Sequence, residues 1–164
     1  YEKTMRLMPG KPVLLIEHKL RNTGSKPIQT TQYNHNFFVI DGKATGPASS
    51  VKFPFNLQAE RGFQGDAASV KGGQIVYNRE LEKGQSVYGE FKGFGSTASD
   101  YNVTLENREA GAGVRITGDK PLSKVVYWSI RTTFCPEPYV DIAVEPGKEQ
   151  RWTYRYEFYN VKAN

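Results

Sequence analysis

Between Val13 and Asn22 apolar and polar side chains alternate, with Leu14, Ile16, His18 and Leu20 on one face and Glu17, Lys19 and Arg21 on the other. A period of two is that of a half-buried strand. Asn22-Thr23-Gly24-Ser25-Lys26-Pro27 is made of turn formers, and a β-branched and aromatic run then extends from Ile28 to Ile40, where Asp41-Gly42 ends it. The two runs predict neighbouring antiparallel strands.

Further strands are predicted over Gln74 to Asn78, Gln85 to Phe94, Tyr101 to Asn107, Gly113 to Thr117, Leu122 to Ile130, Val140 to Val144 and Gln150 to Tyr159. Lys83-Gly84, Gly118-Asp119-Lys120-Pro121 and Pro146-Gly147 punctuate them. Short strands separated by Gly and Pro predict an all-β antiparallel sandwich or barrel rather than an α/β fold. No segment carries a helical period. Gly42 to Gly73 is the least regular stretch and predicts a long loop region around Phe53-Pro54-Phe55, of the kind in which binding residues gather on a rigid sheet. A length of 164 residues suits a single domain spanning 1–164, large enough to bury a core.

Composition narrows the partners. The chain has no apolar run of the roughly 20 residues that a membrane-spanning helix needs. Its net charge of +5 raises the question of nucleic acid. The lysines and arginines, however, occur singly among acidic residues, as in Glu80-Leu81-Glu82-Lys83, and form no basic cluster. Neither a membrane nor a nucleic acid is therefore expected as a partner. The single cysteine, Cys135, excludes an internal disulfide framework and leaves the compartment open. The opening residues from Tyr1 show no leader pattern, so localisation stays undecided.

Two short segments stand out chemically. Tyr33-Asn34-His35-Asn36-Phe37-Phe38 places an imidazole between two amides of poor β propensity inside a run that otherwise reads as a strand. Cys135-Pro136-Glu137-Pro138-Tyr139 places a carboxylate between two prolines, which predicts a bulge or rim loop holding Glu137 stiffly. An imidazole titrates near neutrality and a partly desolvated carboxylate is a stronger base than one in water, so His35 and Glu137 suit bifunctional acid/base chemistry. His18, on an apolar face, reads instead as a packed core histidine.

The order Asn34-His35-Asn36-Phe37-Phe38 after the Asn22-Thr23-Gly24 turn resembles the histidine signature of the aldose 1-epimerase, or galactose mutarotase, superfamily. Glu137, followed by Val144-Glu145-Pro146-Gly147 and the aromatic run Trp152 to Tyr159, resembles that family's closing carboxylate, turn and last strand. The likeness runs in order from about Val13 to Tyr159. It implies a supersandwich-type β-sandwich, in partial form because the family's proteins are longer. It also implies interconversion of sugar anomers without a cofactor. Under it, His35 protonates the ring oxygen and Glu137 takes the proton of the anomeric hydroxyl. Asn34, Tyr33, Phe37, Trp128 and Arg131 are then placed around a carbohydrate, aromatic faces under its C–H groups and planar donors on its hydroxyls. The shorter length leaves open a missing N-terminal half, a reduced relative or a second copy of the chain, and a sheet edge left exposed would favour association.

Two other readings remain open at this point. A carbohydrate-binding module of the same fold predicts that binding survives loss of His35 or Glu137, and a structural or adhesion sandwich predicts no sugar binding. No metal is expected, because His18 and His35 lack ligand spacing. Nothing beside Cys135 in sequence activates a thiol, and it reads as a buried one.

Overall fold

Alternation turns one side of most strands inward, and two antiparallel sheets bring these sides together in the computed structural model, which describes residues 1–161. The strands are β1 (Glu2–Leu7), β2 (Val13–Arg21), β3 (Ile28–Gln32), β4 (Ser49–Lys52), β5 (Gln58–Arg61), β6 (Ala68–Lys71) and β7 (Gln74–Tyr77), followed by β8 (Ser86–Lys92), β9 (Asn102–Asn107), β10 (Ala112–Gly118), β11 (Lys124–Ile130), β12 (Thr133–Val144) and β13 (Glu149–Asn160). The larger sheet has the order β1-β2-β13-β10-β9-β4-β7-β6 and the smaller one β3-β12-β11-β8-β5. Among the described residues the only helical element is a single 3-10 turn at Ala98–Asp100. The all-β antiparallel sandwich is therefore as expected.

Phe91, Val125 and Val140 of the smaller sheet pack with Val51, Ile75 and Leu105 of the larger one in a single core, each with no solvent exposure. Full burial of such side chains stabilises the fold by about 1.5–3 kcal/mol apiece. Polar links also join the sheets. Tyr77 on β7 donates to Ser129 Oγ on β11 at 2.6 Å and also meets the Tyr127 hydroxyl, so neither sheet can slide without stranding buried hydroxyls.

Several expectations about the strands are corrected. The runs from Val13 and from Ile28 do not pair with each other: β2 lies between β1 and β13 in one sheet, and β3 pairs with β12 in the other. Asn22 makes the link an arch rather than a hairpin. Its Nδ2 donates to the Lys26 and Val144 carbonyls at 2.8 Å each, and its Oδ1 accepts from the Gly24 amide. The segment from Gly42 to Gly73 contains three short strands, β4, β5 and β6, whose four-residue lengths are too short for a period to show. β1, with every residue exposed, was not anticipated either.

β12 runs on through the Pro-Glu-Pro segment. Glu137 lies in the middle of this long strand, paired with Val126, and not on a bulge. The prolines act on only one side of it. Phe134 exchanges both backbone hydrogen bonds with Phe38 at 3.2 Å, so its N–H and C=O point toward the β3 side. Antiparallel alternation points positions 136 and 138 the same way, while the Tyr139 carbonyl accepts from Ser123 on the β11 side. Pro136 and Pro138 thus lack donors where a neighbouring strand would continue, and the β3 ladder ends at Gln32 opposite Val140. The chain from Tyr33 to Phe37 is released from the sheet and crosses in front of Glu137.

His18 is buried at 3% exposure, stacked on Trp152 with ring centroids 5.0 Å apart, and burial lowers its pKa to about 4. The folded state favours the neutral ring, so the unfolded chain binds the proton first. Stability from this site is complete above about pH 6.5 and falls as pH drops toward 4, by up to about 3 kcal/mol. Thermal unfolding at pH 7 and pH 4 should show a drop in Tm that shrinks in His18→Phe; an equal drop in both proteins would contradict this assignment.

Candidate active site

The segment that leaves β3 keeps a strand-like alternation although it has no partner. Gln32, Asn34 and Asn36 turn inward, while Tyr33, His35 and Phe37 turn outward. The inward amides are held by the aromatic strand β13 of the opposite sheet. The Tyr156 hydroxyl accepts from Asn34 Nδ2 at 3.1 Å and from Asn36 Nδ2 at 3.0 Å. Gln32 Oε1 accepts from Trp152 Nε1 at 3.0 Å and from the Tyr154 hydroxyl, and its Nε2 donates to the Tyr33 carbonyl at 2.7 Å and to Asn34 Oδ1 at 3.2 Å. These bonds replace the missing ladder, since buried polar groups must find partners.

His35 is thereby presented to β12. Its Nε2 lies 3.2 Å from Glu137 Oε1 and its Nδ1 lies 3.2 Å from Cys135 Sγ. The Glu137 carboxylate, being an acceptor, requires the proton on Nε2, and the thiol then donates to Nδ1. Cys135 and Glu137 are two residues apart on one strand and share its outward face. The imidazole bridges them.

Burial raises the pKa of Glu137, and this effect is countered in part by His35, by the neighbouring Cys135 and Tyr139, and by Lys124. Burial and then the Glu137 charge push the Cys135 thiol far above its usual range, so it is a proton donor here and not a thiolate nucleophile. Tyr139 donates to Glu137 Oε2 at 3.5 Å.

The structure brings three more of the expected residues together here. Tyr33 stacks on Tyr139 with centroids 4.2 Å apart, Phe37 stacks on the His35 ring at 4.3 Å, and Trp128 meets both His35 and Phe37 edge-on at 5.8 and 5.9 Å. Trp128 pairs with Cys135 across the ladder and faces out of the sheet, whereas Ser129 faces the core. Phe37 is 61% exposed and gives the site an accessible apolar wall.

Two expected residues are placed otherwise. Asn34 is buried with its amide spent on Gln32 and Tyr156, so it positions the loop and offers nothing to a ligand. Arg131 lies in the β11–β12 turn, three residues beyond Trp128 or about 10 Å along the strand, with its guanidinium bound to Glu80 Oε1. Gln32, Tyr139, Tyr156 and the contact of Cys135 with His35 were not anticipated. The amides at 32, 34 and 36 carried the only visible signal, a polar inward face in a run whose outward face is aromatic.

No family model matches the chain, and no curated protein matches it. Solved structures do. The Slr1438 protein from Synechocystis superposes with a TM-score of 0.67 at 13% identity over 98% of this chain and 54% of its own. A galactose mutarotase related enzyme from Lactobacillus acidophilus gives 0.64 at 15% identity, over 98% of this chain and 62% of its own. The fold is that of the galactose mutarotase-like structures. A galactose mutarotase-like protein from Lactobacillus casei extends the likeness, with a TM-score of 0.60 at 15% identity, covering 96% of this chain and 62% of its own. The chain thus spans less than two thirds of each of these mutarotase-like structures.

Tyr156→Phe removes the acceptor of one buried and one half-buried amide donor and should destabilise the fold by about 1–3 kcal/mol. It should also speed hydrogen exchange at the backbone amides from Tyr33 to Phe37. Urea unfolding and exchange measured by NMR check both; unchanged exchange in that segment would show that the hydroxyl does not hold it.

Proposed function

We propose that this protein acts on carbohydrate and interconverts sugar anomers by general acid/base catalysis, with His35 as acid and Glu137 as base. The observation that carries the reading is the contact of a buried carboxylate with a half-exposed imidazole, 3.2 Å apart, beside accessible aromatic rings. The fold shared with mutarotase-like structures supports it.

The anomeric hydroxyl and the ring oxygen of a pyranose sit on the same carbon, so one pair of adjacent groups can reach both. For reaction the resting Nε2–H ring takes a second proton on Nδ1 in place of the thiol's hydrogen bond, so the reacting pair is imidazolium and carboxylate. Glu137 takes the proton of the anomeric hydroxyl as His35 Nε2 gives one to the ring oxygen, the C1–O5 bond breaks, and an open-chain aldehyde forms. Rotation about C1–C2 presents the other carbonyl face. Closure returns the proton from Glu137 to the carbonyl oxygen, and the ring hydroxyl gives its proton back to His35.

Desolvation of Glu137 raises its basicity, and each proton transfer contributes about 10²- to 10⁴-fold. Trp128, Phe37 and Tyr33 are assigned to the apolar faces of the sugar, and Tyr139 steadies the carboxylate.

Freshly dissolved α-glucose and α-galactose, followed by NMR, test the proposal. Wild type should accelerate equilibration, and His35→Ala and Glu137→Gln should each lose about 10²-fold or more of that rate. No acceleration, with sugar line broadening retained in both variants, would replace this reading with that of a binding module. Because Glu137 must be ionised and its pKa is raised, activity should fall off on the acid side at a pH above the ordinary glutamate value of 4.5. A rate that stays constant down to that pH would exclude Glu137 as the base.

A further inference from the structure

We infer that His35, Cys135 and Glu137 bind a borderline-soft divalent cation of the zinc class. Each offers one ligand atom, and these atoms lie within 4.8 Å of one another. A sulfur, an imidazole nitrogen and a carboxylate oxygen together suit zinc and not calcium or magnesium, which take oxygen donors. The reading needs no sugar and stands apart from the anomerase proposal.

The scaffold already holds the donors at working distance. Cys135 and Glu137 project side by side from β12, which is rigidly paired to β11, and His35 is carried on the loop that Tyr156 anchors. The imidazole lies 3.2 Å from Sγ and 3.2 Å from Oε1. Neighbouring ligands in a tetrahedral zinc sphere, with Zn–S near 2.3 Å and Zn–N near 2.0 Å, are about 3.5 Å apart. At present the ring faces sulfur with one nitrogen and oxygen with the other. Turning one nitrogen toward the space between them is a side-chain rotation that exchanges the contacts to Cys135 and Glu137 for metal bonds, and the ring, 37% exposed, has a solvent side to turn into.

Charge also balances. On binding, the thiol gives up its proton to solvent, and thiolate and carboxylate together neutralise the dication while His35 stays neutral. Tyr139, donating to Glu137 Oε2, holds the carboxylate as an outer partner. Three protein ligands with His35 at the open side leave a fourth position for water, as in open zinc sites and unlike closed structural ones. A bound cation engages both members of the acid/base pair, so zinc is an inhibitor of any proton transfer they perform.

Cobalt titration of untagged, metal-free protein tests the site directly. One equivalent of Co²⁺ should produce the visible bands of tetrahedral cobalt and a near-ultraviolet thiolate-to-cobalt band, both abolished by one equivalent of Zn²⁺. Cys135→Ser should lose the thiolate band, and His35→Ala and Glu137→Gln should each weaken binding by about a hundredfold or more, beyond what loss of an outer partner costs. The absence of a thiolate band in wild type at excess Co²⁺ overturns the proposal, whatever the variants do, and so does an unchanged band in a folded Cys135→Ser.

Discussion

The Tyr156 hydroxyl, which accepts from both Asn34 and Asn36, holds the rest of the site in place. It lies on β13 of the larger sheet, whereas the loop it grips crosses the edge of the smaller one. His35 therefore sits where the two sheets are tied, and its orientation is inherited from their packing. Pro136 and Pro138 make this arrangement necessary by withholding the donors that would have extended β3. Without the amides the freed backbone would fray; without the prolines His35 would lie in a regular ladder beside Glu137 and not across it.

The face that results is unusual for a sandwich, because its outward side carries buried polar groups. Cys135 has no exposure and Glu137 only 5%, although both point away from the core. They are covered by the His35 loop and its aromatic neighbours. This cover raises the Glu137 pKa and keeps the thiol protonated, while the half-exposed imidazole remains in contact with solvent. A carboxylate made more basic by desolvation and a ring able to exchange protons are two requirements of bifunctional catalysis, met here by one loop lying on one strand. The same closeness lets a soft cation compete for the three side chains.

The strands with clean alternation were legible from residues alone, because a two-residue period reports which side is buried. His18 was recognised as packed on that basis. Pairing was less legible. Val13 to Asn22 and Ile28 to Ile40 look like a hairpin because the turn between them is polar, yet the Asn22 side chain ties that turn to Val144, far along the chain. Strands of four residues in 42–73 were too short to show a period. Pro-Glu-Pro was read as a break in the strand since proline usually is one, but with both missing donors on the same side β12 continues undisturbed toward β11. His35 and Glu137, which the fold brings into contact, were singled out by residue type and resemblance. Cys135 was set aside because its partner is remote in sequence, and Asn34 was read as a ligand contact when it is a loop anchor.

A long-range ¹H–¹⁵N NMR spectrum of the His35 ring tests the central claim most directly, that the amide network presses this imidazole onto Glu137 with its proton on Nε2. The wild-type ring should be protonated at Nε2, and Glu137→Gln and Tyr156→Phe should each shift it toward the averaged tautomers of a free imidazole. A solvent-like tautomer mixture in wild type, unaltered by either substitution, would contradict it.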